Sequence, residues 1–123
     1  MANEFFDECL NPPAERHQCV RSIELSYPYF QSAMSAFLNT PFSALPTKQH
    51  YGADASLQGA LVAGSPEEVA EKILFQQSIF GNERFLMQIS VGTMPHNEVM
   101  RSIELLGTRV APIVRAGSLV PAA

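Results

Sequence analysis

The run Gly64-Ser65-Pro66-Glu67-Glu68-Val69 constrains this chain more than any other stretch, because each residue in it has a physical reason to start a helix. Ser65 can accept a hydrogen bond from a free amide of the first turn, Pro66 suits the first helical position, and Glu68 completes a capping box. Downstream, Val69, Ile73, Gln76 and Phe80 fall on one side at helical spacing, with Ala70, Leu74 and Gln77 beside them. Glu68 and Lys72 are expected to form an exposed i,i+4 pair, and Gly81 to supply a left-handed C-cap.

Residues 84–91 are short and mostly apolar, which predicts a strand covered on both faces in a parallel sheet. Phe85, Met87, Ile89 and Val91 would share the face toward the helices, and Leu86, Gln88 and Ser90 the other. Gly92-Thr93-Met94-Pro95 then turns the chain into a second helix with Val99, Ile103, Leu106, Val110 and Ile113 at helical spacing. Pro112 predicts a kink or break near Gly107 or Ala111. Helix, strand and helix in this order amount to one and a half turns of an α/β repeat. The expected fold class is therefore α/β: a partial (β/α)8 TIM barrel, built of C-terminal helix-strand-helix units behind a mostly helical or irregular N-terminal lead.

Within that lead, residues 2–10 read as a helical fragment ended by Asn11-Pro12-Pro13, and residues 14–25 as a second helix. Residues 26–56, rich in Pro, Ser, Thr and aromatics, read as a long connection, with a few helical turns accommodated over 30–38. Residues 59–64 are a short strand or an extended approach to the cap, the extended form being favoured. The expected organisation is a lead over 1–57, a βαβα portion over 58–116 and a flexible tail over 117–123. Arg-Ser-Ile-Glu-Leu occurs at 21–25 and again at 101–105, but a match this short does not make a repeat architecture.

Among 123 residues, 46% are hydrophobic, which argues against wholesale disorder and allows one modest core. A net charge of -4 with scattered Lys and Arg leaves no basic stripe for nucleic acid, and no stretch is apolar enough to span a bilayer. Residues 1–10 carry three acids and no base, unlike a signal peptide, so a soluble cytoplasmic protein is expected. Cys9 and Cys19 are the only cysteines, and their separation matches no common zinc spacing even with His17 and His50. Reduced thiols and solvated histidines, without a metal, are the expectation.

The stretch over 59–115 resembles the C-terminal end of the bacterial luciferase-like, flavin-dependent monooxygenase family. The resemblance rests on Gly64-Ser65-Pro66-Glu67-Glu68-Val69, on Phe80-Gly81 leading to Arg84-Phe85-Leu86-Met87-Gln88, and on residues 92–96. It continues through Arg101-Ser102-Ile103-Glu104-Leu105, Val110-Ala111-Pro112 and Arg115, with a weaker echo in Lys48-Gln49-His50-Tyr51-Gly52-Ala53. Members of that family are β/α barrels that bind reduced FMN, or in relatives the deazaflavin F420, and use it in redox chemistry, often with O2. A complete barrel needs about 250 residues, so the resemblance implies a fragment of a flavin-dependent monooxygenase-type oxidoreductase acting on a small organic substrate. The alternative is a non-catalytic partial domain that self-associates or pairs with a complementary barrel fragment.

On this resemblance, Gln88 and Ser90 are the candidates to face a flavin ring, where amide and hydroxyl groups can hydrogen-bond it. Family members often carry an acid where Ser90 stands. Gly64 and Ser65 form a helix N-terminus that could receive a phosphate, or a structural cap that needs no ligand. His96 is either a proton-transfer group or a solvated side chain of the first turn. No nucleophile, base and orienting acid assemble from spacing, as suits an enzyme whose cofactor carries the reaction.

Overall fold

The computed structural model describes residues 20–90 and 92–118. Its elements are helix α1 (Val20–Leu38), a 3-10 turn (Phe42–Ala44), and helices α2 (Lys48–Asp54), α3 (Pro66–Phe80) and α4 (His96–Leu105), followed by a π-helical turn (Leu106–Val110) and α5 (Ala111–Gly117). No strand occurs among the described residues.

That finding overturns the partial TIM barrel and the strand expected over 84–91, of which Val91 lies outside the described residues. Residues 84–90 show the period-two burial of an extended chain, with Phe85, Met87 and Ile89 half-buried and Leu86, Gln88 and Ser90 exposed. The apolar parity was legible, and Phe85 and Met87 do pack against the helices, around Ala70, Ile73 and Val110. A strand also requires a neighbour about 4.8 Å away to share its amides and carbonyls, and no ladder forms here. Leu86, 98% exposed, shows how bare the second face is.

The cap before α3 forms as its residues dictate. Ser65 N–H donates to Glu68 Oε2 at 2.8 Å and Glu68 N–H to Ser65 Oγ at 3.3 Å, a reciprocal capping box with Pro66 in the first turn. Gly81 closes the helix at φ 62°, ψ 24°, its N–H bonded to the Gln77 carbonyl. Ala70 and Ile73 are buried, whereas Phe80, expected on the same face, is 74% exposed because it lies in the last turn beyond the reach of α5.

Pro112 acts as expected, and the mechanism is visible. Lacking an N–H, it cannot bond the carbonyl four residues back, and Ala111 N–H instead reaches Leu106 across a π turn. The extra residue in that turn rotates α5 by about 100° relative to a continuous helix. Val114 therefore packs on the core while Ile113, expected there, is exposed.

The expected long connection over 26–56 is largely helical instead. α1 runs through Pro28, and α2 is capped by Thr47, whose Oγ1 accepts from His50 N–H at 3.4 Å. The aromatic contacts explain the override: buried Tyr51 of α2 packs on Tyr27 and Phe30 of α1, with ring centroids 5.5 and 4.8 Å away. Tyr51 OH also bonds Ser26 Oγ at 2.9 Å, and Tyr27 OH donates to the Pro46 carbonyl at 2.9 Å. Tertiary burial outweighs the local cost of a proline. The helix expected over 2–10, the first half of the one over 14–25, and the end of the 117–123 tail lie outside the described residues, while 20–25 form the start of α1. Within that tail, Ser118 is tied down, its Oγ donating to Gln77 Oε1 at 3.1 Å.

Candidate functional site

A cavity of about 280 Å³ opens where α1, the approach to α3, residues 87–89 and α4 converge. Each element contributes for a local reason. α4 and the turn after it present Glu98, Ser102, Leu105 and Leu106, one face at i, i+4, i+7 and i+8. The extended 84–90 segment brings Met87 and Ile89 from its helix-facing side, together with Gln88. α1 supplies Ser26 and Tyr29, and Gly64 closes the wall at the cap.

Gly64 is glycine by necessity. Its φ of +148° is one that side-chain-bearing residues rarely adopt, and a Cβ there would stand 2.6 Å from Glu68 Oε2. Gly92, at φ 55°, packs against α1, where a Cβ would lie 3.1 Å from the Tyr29 carbonyl oxygen. Gly64 itself lines the cavity.

Of the four residues expected to contact a cofactor, Gly64 and Gln88 meet at this cavity, and Ser65 and Ser90 are not part of its lining. Ser65 is engaged in the cap, as is the first-turn amide of Glu68, while the Glu68 carboxylate stands beside Gly64. The N-terminus of α3 is thus occupied by the chain's own acid. His96 is exposed in the first turn of α4. No group of three or more metal-ligating side chains occurs among the described residues.

The cavity's walls are largely apolar, and about 280 Å³ lies near the lower end of small-molecule pockets. FMN and F420 both carry phosphate, and among the described residues no Lys, Arg or His lines the cavity. The described residues do not fit the phosphate end.

A second feature is one that sequence patterning misses. Lys72, expected to be exposed, is buried, and its ammonium donates to the carbonyls of Ser56 at 2.6 Å, Asp54 at 3.3 Å and Leu61. Three N–H groups meet three acceptors, as burial of a charge requires. Burial lowers the Lys72 pKa below its ordinary value, and the Asp54 carboxylate opposes that shift. Its position offers a clue: Lys72 stands three residues after Val69 and next to Ile73, inside the apolar stripe.

No family model matches the sequence, and no curated protein or solved structure matches it either. No helix among the described residues is long and apolar enough to cross a membrane.

Proposed function

We propose that this chain contributes to a flavin-dependent monooxygenase-type oxidoreductase, with FMN as the cofactor, F420 as the alternative, and a small organic substrate. The motifs over 59–115 support this reading, and one structural observation carries it furthest: Gln88 and Gly64, both expected near the cofactor, line the same largely apolar cavity. The bound flavin would supply the electron transfer. For the chain's part, Gln88 can both donate to and accept from a ring edge, and Met87, Ile89 and Val69 exclude water from it. The phosphate must be held by groups other than those lining this cavity. A cytoplasmic setting accords with such chemistry.

Titrating the full chain with FMN and following flavin fluorescence tests this reading. Quenching that Gln88→Ala weakens is the expected outcome; no change up to high-micromolar FMN removes it for this chain.

A second reading has its own observation. The unladdered 84–90 segment and the bare Leu86 side chain favour a non-catalytic domain that associates with a second copy. Light scattering decides: a strictly monomeric chain at high concentration rejects association.

A further inference from the structure

Among the described residues, Glu98 is the one acidic group lining the 280 Å³ cavity, and no basic side chain lines it with Glu98. Glu98 is half-buried and its carboxylate forms no ion pair with a described residue. On the cavity face, its backbone carbonyl accepts from Ser102 Oγ at 3.0 Å, which leaves the carboxylate oxygens out of that bond. Glu98 stands in the first turn of α4, where the helix dipole favours an acid, but no side chain lining the cavity carries a positive charge to pair with it. A cation entering the cavity would compensate it, while an anion would be repelled.

The walls narrow the ligand further. Met87, Met94 and Leu105 offer adaptable apolar surface, and Tyr29 and Tyr51 add aromatic rings that favour organic cations. The volume holds something smaller than a drug-sized molecule. We propose that this cavity binds a small apolar amine, its ammonium group against Glu98 and its hydrocarbon part against Met87, Met94 and Leu105. The amine is an alternative occupant to a flavin ring in this one cavity, so its binding does not rest on the oxidoreductase reading.

The test uses the full chain without flavin, so its failure and that of the flavin reading remain distinguishable. Calorimetry with benzylammonium, benzyl alcohol and phenylacetate near pH 7 compares one ring carrying a positive, neutral or negative group. Benzylammonium is expected to bind about ten- to a hundredfold more tightly than the alcohol, the range for a charge-assisted hydrogen bond, with phenylacetate weakest. Glu98→Gln should erase the amine's advantage over the alcohol. Equal binding of amine and alcohol, preference for phenylacetate, or no binding of any probe at millimolar concentration overturns the proposal. Should Glu98→Gln lose its helical circular dichroism, the wild-type ranking of the three probes decides alone.

Discussion

Lys72 reaches from the middle of α3 to the Ser56 carbonyl at 2.6 Å and so fastens the 54–61 loop to the helix. Further bonds to the Asp54 and Leu61 carbonyls make the ammonium the common anchor of that loop. The loop leads directly into Val62, Ala63 and Gly64, which line the 280 Å³ cavity. A cation buried in α3 therefore sets one wall of the candidate site.

Lys72→Met keeps much of the aliphatic volume but removes the ammonium from three carbonyls, of which Asp54 and Ser56 keep backbone N–H donors from Leu61 and Gly59 while the Leu61 carbonyl loses the donor that Lys72 gave it. The expected loss is roughly 2–4 kcal/mol of unfolding free energy, measured by urea denaturation. A loss below about 0.5 kcal/mol, the range of ordinary surface changes, would show that the anchor contributes little.

The same residue predicts a pH dependence with a definite sign. Its folded pKa lies below the ordinary lysine value of 10.5, so in the alkaline window between the two the folded chain releases a proton that the unfolded chain retains. Unfolding free energy should rise with pH across that window, relative to Lys72→Met. Parallel stability profiles for the two proteins would contradict this.

At the start of α3, Ser65→Ala removes one arm of the capping box and should cost about 1 kcal/mol. Gly64→Ala should cost more, about 1–3 kcal/mol, because its φ of +148° strains any side-chain-bearing residue. Chemical denaturation of both variants checks the order, and the reverse order would mean the backbone relaxes freely.

Gly81→Ala isolates conformational strain, since nothing lies within 4 Å of a Cβ at that position. The expected cost is about 1 kcal/mol, with Gly81→Asn recovering part of it because Asn tolerates the left-handed region. Equal denaturation midpoints for the Ala and Asn variants would refute the strain account.

Leu86→Lys should leave the unfolding free energy within about 0.5 kcal/mol of the starting value, because the side chain is 98% exposed. If 84–90 joins a second copy, this substitution lowers the associated fraction in light scattering. Unchanged association would place the contact elsewhere.

The parts legible in the sequence were those governed by neighbours a few residues apart. Ser65, Pro66 and Glu68 form the cap, Gly81 ends the helix, and Pro112 breaks the ladder, because each acts through groups close to itself in the chain. The alternation of Phe85, Leu86, Met87 and Gln88 was equally readable, since successive side chains of an extended chain point opposite ways. Whether that segment becomes a strand depends on a distant partner, and among the described residues none pairs with it. Likewise, only packing turned Lys72 inward onto the 54–61 carbonyls, carried α1 through Pro28 to stack on Tyr51, and gathered Gly64, Gln88 and Glu98 around one cavity. Local hydrogen bonds and backbone sterics are encoded residue by residue. The cavity and its charge are products of long-range burial, where the gain from packing overrides local preference.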